Sequence, residues 1–147
     1  MTIFGVPINL YIILGSGIIF IWLYWYILKQ KYGTTDLAKN DILNKKVFEL
    51  PCISETCCSS WKILHFLLFM IVGFLYPQHW KLITILGILW EIYEMLMSKI
   101  MHRPYQIARD KNGDIEYSGW WSGSFSDILF NSAGLALGVL ASRFHSY

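Results

Sequence analysis

The sequence predicts an all-α fold, a polytopic integral membrane bundle of about four transmembrane helices. Three observations carry this. The 147-residue chain is 55% hydrophobic and only 15% charged, against roughly 25% charged residues in soluble domains. Its apolar residues fall into long runs, the first from Met1 to Leu28 without a charged side chain. Polar stretches separate the runs, and most of the Lys and Arg residues collect in them. One bundle suits this length, with no second domain.

Residues 1–28 form the first transmembrane segment, with Asn9–Leu28 long enough to cross a bilayer. It lacks the basic start and small-residue cleavage site of a signal peptide and reads as a retained helix. Trp22, Tyr24, Trp25 and Tyr26 belong near one interface, where amphipathic rings settle. Residues 29–60 are a polar connector with five Lys and four acidic residues. Within it, Lys39–Leu50 predicts a short surface helix, interrupted by Pro51.

Residues 61–147 form a three-helix membrane core, with spans at 61–76, 80–97 and 124–144 and a polar connector at 98–123. The 61–76 span is short; Lys62 is expected to extend its head group toward water while its stem stays apolar. Pro77-Gln78-His79 predicts a tight turn. In the later connector, Asn112-Gly113 flanked by Tyr105/Ile107 and Ile115/Tyr117 predicts a small hairpin. Gly134 and Gly138 are a small-xxx-small pair, suited to close helix packing in a membrane.

Ten of the twelve Lys and Arg lie in segments 29–62 and 99–111. The positive-inside rule therefore places both long connectors in the cytoplasm and both termini on the opposite side. No basic stripe is interleaved with exposed aromatics, which excludes nucleic acid as a partner. Cys52, Cys57 and Cys58 are odd in number and two are adjacent, so they read as free thiols rather than a disulfide framework or a zinc site. Homo-oligomerisation stays open.

Against this apolar background, polar residues inside spans are the informative ones. His65 lies one turn inside the second span, Glu91 and Glu94 near the end of the third, and Asp127 and Asn131 at the start of the fourth. Alternating helix directions put all of them at one depth, near one face. Glu91 and Glu94 are three apart and share a helix face. Asp127, Asn131, Gly134 and Gly138 form one stripe. Carboxylates this close repel in a low dielectric, so either protons or a cation hold them. Their hard oxygens favour Ca²⁺, Mg²⁺ or Mn²⁺ over zinc, leaving His65 as a general base. A plain structural reading stands beside this one: His65 hydrogen-bonded at an interface, Glu94 reaching water, and Asp127 facing its helix dipole.

The segment Trp61–Gly138 resembles two membrane families. In the base-exchange phosphatidylserine synthases, a His-containing helix precedes a W-E-x-x-E helix, a W-W dipeptide and an Asp-containing helix with Asn and glycines. The counterparts here are His65, Trp90-Glu91-Ile92-Tyr93-Glu94, Trp120-Trp121, and Asp127…Asn131 with Gly134 and Gly138. The second family is the VanZ-like membrane proteins, whose pattern is similar to Lys62-Ile63-Leu64-His65-Phe66, an E-x-x-Q, and then D-x-x-x-N-x-x-G; Glu94 stands where that Gln would be. Two departures are plain: Ser122 follows W-W where the synthases carry Asp, and the stretch between Glu94 and Asp127 is longer than in either family.

The resemblance implies chemistry on phospholipid head groups. Glu91, Glu94 and Asp127 would bind a divalent cation, Ca²⁺ before Mg²⁺ or Mn²⁺, and the cation would bind the phosphodiester. His65 would deprotonate the hydroxyl of free serine. Asn131, Trp90 and Trp121 are expected to contact the substrate. The alternatives are a VanZ-like protein acting on lipid or lipid-linked envelope compounds, and a non-enzymatic structural membrane protein.

Overall fold

Among the residues described, four α-helices carry the fold: α1 (Ile8–Tyr32), α2 (Ser60–Leu75), α3 (Trp80–Met101) and α4 (Phe125–His145). The computed structural model describes residues 1–3, 5–33, 40–44, 59–101, 106–109, 115–117 and 125–145. Strands β1 (Thr2–Ile3) and β2 (Val6–Pro7) pair antiparallel ahead of α1, turning through Gly5 at φ +76°, a left-handed conformation that glycine adopts freely. Strands β3 (Gln106–Arg109) and β4 (Ile115–Tyr117) pair antiparallel on either side of the Asn112-Gly113 signal, with an irregularity between Gln106 and Ala108.

Helices α1 and α4 are each long and apolar enough to cross a membrane. Helix α2 meets that test only together with Pro77–Met97, across a bend of 110°. Among the described residues there are thus two candidate spans, or three if the bent pair is one span. The all-α membrane character expected from the sequence is present, while a bundle of four spans is not established by these helices. Helix α2 has 16 residues, about 24 Å at 1.5 Å per residue, short of a hydrocarbon core of about 30 Å. Helix α3 is long enough, but Lys81, Glu91 and Glu94 lower its hydropathy.

Helix α1 is apolar on every side, and Ile12, Ile19, Phe20, Leu23 and Ile27 all point outward, as a lipid-facing helix requires. Lys29 closes that helix over the Trp25 ring, 4.8 Å from its centroid, and Gly33 at φ +72° ends it. Hydroxyls inside the apolar helices turn back on their own backbone: Ser16 donates to the Ile13 carbonyl at 2.8 Å, Thr84 to Trp80 at 2.9 Å and Ser142 to Val139 at 2.8 Å. Such bonds satisfy polar groups where lipid offers no partner.

Helices α2 and α4 run parallel in close contact. Lys62 meets Ser126 and Asp127 at their shared starting end, and Phe74 meets His145 at the other, ring centroids 5.8 Å apart. Between these points glycine sets the spacing. A Cβ at Gly134 would collide with the Phe66 carbonyl oxygen, and one at Gly138 with that of Met70. From the other side, a Cβ at Gly73 would lie 2.7 Å from the Leu135 carbonyl oxygen. Only residues without side chains let these backbones touch.

The apolar core, Val6, Leu10, Val72, Ile83 and Leu135, joins the start of α1 to the turn between α2 and α3. At the far end of α1, Tyr24 packs edge-on to Trp61, ring centroids 5.7 Å apart. Asp41 sits beside them, only 1% exposed. It accepts hydrogen bonds from the Tyr24 hydroxyl (2.7 Å), Trp61 Nε1 (2.7 Å) and the Leu43 amide (2.8 Å). Of the expected surface helix at Lys39–Leu50, residues 40–44 are described: Asn40 is helical, and Ile42–Asn44 is a 3₁₀ turn beside this buried carboxylate. The remainder of that segment, and the three cysteines, lie outside the described residues.

Candidate functional site

The buried polar residues of the bundle gather where α3 crosses the first half of α2 and α4. Each helix contributes through its period. Lys62 and His65 are three apart on α2, Glu91 and Glu94 three apart on α3, and Asp127 and Asn131 four apart on α4, so each pair shares a face. Glycines one and two turns beyond Asn131 bring α4 against α2, which carries Asp127 and Asn131 into the interface with them. Lys62, Glu91, Asp127 and Asn131 are all buried there.

Two groups of contacts form. In the first, Asn131 Nδ2 donates to Glu91 Oε1 at 3.1 Å, and His65 Nδ1 lies 3.8 Å from the same oxygen. The second distance exceeds a hydrogen bond, yet it places an imidazole and a carboxylate together with little water. The Glu91 side chain is 1% exposed and that of His65 14%. In the second group, Lys62 Nζ donates to Ser126 Oγ and lies 3.9 Å from Asp127 Oδ1. Asp127 stands in the first turn of α4, where the helix dipole also favours a negative charge.

This arrangement corrects one expectation directly. Lys62 does not extend to water; it is 6% exposed and turned toward α4. An ammonium buried without a partner would cost several kcal/mol, on the order of the desolvation penalty for a lone ion, and Ser126 with Asp127 supplies the partner. Sequence reasoning left Lys62 and Ser126 out of the site. The signal was the spacing of Lys62 and His65, which puts both on one face of α2.

The other expected residues are distributed unevenly. Glu94 is half-buried, one turn beyond Glu91 on α3. Trp90 faces along its own helix and packs on Tyr93, ring centroids 5.3 Å apart. Trp121 and Ser122 lie outside the described residues. Gly134 and Gly138 line the contact with α2. Asn131 also borders a small cavity between the three helices, lined by Phe69, Thr84, Gly87 and Ser132.

Among the described residues, no three His, Cys, Asp or Glu side chains gather closely enough to hold a metal ion. The two buried carboxylates instead carry nitrogen donors: Asn131 Nδ2 on Glu91, and Lys62 Nζ beside Asp127. Chemically, the site offers an imidazole 3.8 Å from a buried carboxylate, and a lysine ammonium one turn away.

No family model, characterised protein or solved structure matches the chain.

Proposed function

We propose that this protein acts on phospholipid head groups at one face of a membrane, exchanging or transferring the alcohol on the phosphodiester. The observation that carries the reading is the meeting of His65 and Glu91 inside the apolar helices, 3.8 Å apart and largely removed from water. A buried imidazole and carboxylate are costly to keep in such a place, and ionisable groups within membrane helices mark functional sites. The resemblance of Trp61–Gly138 to the phosphatidylserine synthases supplies the reaction class. The depth of the pair, one turn inside α2, suits a phosphate group better than an acyl tail.

In this reading His65 takes the proton of an alcohol hydroxyl, serine being the first candidate. The alcohol oxygen then forms a bond to phosphorus, and the bond from phosphorus to the departing head-group oxygen breaks. His65 returns the proton to that oxygen. Glu91 favours the transient imidazolium, as a carboxylate beside a general base does. Asn131 holds Glu91 in place through its 3.1 Å hydrogen bond.

The topology that goes with this reading has the two long connectors on the cytoplasmic side, where most Lys and Arg lie, and both termini opposite. Helices α2 and α3 then enter and leave through the cytoplasmic face, which makes four passes with α1 and α4. A second reading is favoured by the glycine-mediated contact of α2 with α4: the polar residues serve helix association alone, and the protein is structural.

The deciding experiment is exchange of labelled serine into lipid by purified protein in phosphatidylcholine/phosphatidylethanolamine nanodiscs, with and without divalent cations. Phosphatidylserine formation that disappears in His65→Ala and Glu91→Gln supports the reading. No product under any condition from a folded protein sinks it and leaves helix association.

A further inference from the structure

One carboxylate of the site is met by a charge that the resemblance to a cation-dependent synthase does not anticipate. Asp127, which would be one of three acidic ligands, already faces an ammonium. Lys62 Nζ lies 3.9 Å from Asp127 Oδ1, with side chains only 8% and 11% exposed. Glu91, the second, accepts from Asn131 Nδ2 at 3.1 Å. One oxygen of each carboxylate is thus met by a nitrogen donor, a neutral amide on Glu91 and an ammonium beside Asp127, whereas a hard divalent cation needs such oxygens turned toward one centre.

We propose that Lys62 is the resident counter-ion of this carboxylate site, holding Asp127 so that a divalent cation binds there only by displacing it. The inference uses the residues of the head-group reading but does not depend on the reaction. Its physical basis is competition. Lys62 is tethered within the first turn of α2, and the close contact of α2 with α4 fixes that turn beside Ser126 and Asp127. A free cation must lose translational freedom and hydration to reach the same carboxylate; the tethered ammonium has already been brought there by folding. Moving it away would also leave a buried positive charge without Asp127, which is costly in this setting. Ser126 adds specificity, since its hydroxyl oxygen accepts from Nζ and sets the direction of the ammonium.

The test is Ca²⁺ binding by isothermal titration, with Tb³⁺ luminescence as a second probe, on purified protein in phosphatidylcholine nanodiscs. The zwitterionic lipid keeps surface binding of cations low. Wild type is expected to bind weakly, and Lys62→Gln, which retains a hydrogen-bond donor but no charge, to bind at least about tenfold more tightly, a factor equal to about 1.4 kcal/mol. Lys62→Met should do the same, Lys62→Arg should remain weak, and Asp127→Asn combined with Lys62→Gln should lose the gain. Circular dichroism and size-exclusion elution identify which variants are folded, and Lys62→Gln decides if Lys62→Met is not. Unchanged or weaker binding in folded Lys62→Gln overturns the proposal. So does tight wild-type binding that Lys62 variants leave alone. No lipid substrate enters this measurement, so its failure and a failure of serine exchange are separate results.

Discussion

Asn131 on α4 donates to Glu91 on α3 at 3.1 Å, and this hydrogen bond crosses between two helices inside the apolar bundle. Both side chains are buried, Glu91 at 1% and Asn131 at 4% exposure. Replacing Asn131 with Leu removes the donor while keeping the volume roughly similar, and leaves the Glu91 carboxylate without this contact. We expect a loss of about 1–3 kcal/mol. Thermal unfolding in detergent, followed by circular dichroism, measures it. A melting temperature equal to wild type would show that the bond contributes nothing to the packing of α3.

The contact of α2 with α4 makes a prediction by contrast. Gly138→Ala places a methyl group against the Met70 carbonyl oxygen, which is backbone and cannot turn aside. Gly15→Ala in α1 places one where nothing lies within 4 Å. The first should destabilise by about 1–3 kcal/mol, the range for overpacking. The second should be neutral or gain up to about 1 kcal/mol, since alanine is the better helix former. Equal behaviour of the two variants in the same unfolding assay would contradict the close approach.

Asp41 ties the connector to two helices through Tyr24 and Trp61, at 2.7 Å each. A double-mutant cycle of Tyr24→Phe with Asp41→Asn should give a coupling energy of about 1–3 kcal/mol, as for a hydrogen bond to a charged acceptor. Additive effects would mean that the tyrosine hydroxyl and the carboxylate do not act as a pair in the membrane.

For catalysis, His65→Ala is expected to lower serine exchange by about 10²–10⁴-fold, the usual contribution of a general base. His65→Gln should fare no better, because it cannot take up the proton. The measurement is initial rate in nanodiscs at matched protein content. Activity within a few fold of wild type would remove His65 from the base role.

Much of the helical content was legible before any coordinates, and for a simple reason. In lipid only a helix or a closed barrel satisfies the backbone, and an uncharged run as long as Asn9–Leu28, without the alternation of barrel strands, fits the helix. The boundaries of α1, α2 and α4 follow those runs closely, and Asn112-Gly113 announced the small β3–β4 pairing. Helical period also put Glu91 with Glu94, and Asp127 with Asn131, on common faces. What the period does not contain is the angle between elements. The 110° bend between α2 and α3 is such an angle, and the count of candidate spans, two or three among the described residues, turns on whether the bent pair is one span.

The partner of each charge was likewise a tertiary matter. Composition alone determined that this chain belongs in a membrane and that its few interior ionisable residues need compensation. Which group compensates which was decided only when glycines 73, 134 and 138 let α2 and α4 touch. That contact brought Lys62, the residue expected to reach for water, to Ser126 and Asp127, 64 and 65 positions further along the chain. Asp41 was read as part of a surface helix for the same reason. A polar side chain declares its cost in the sequence, but the atoms that meet that cost come from elsewhere in the fold.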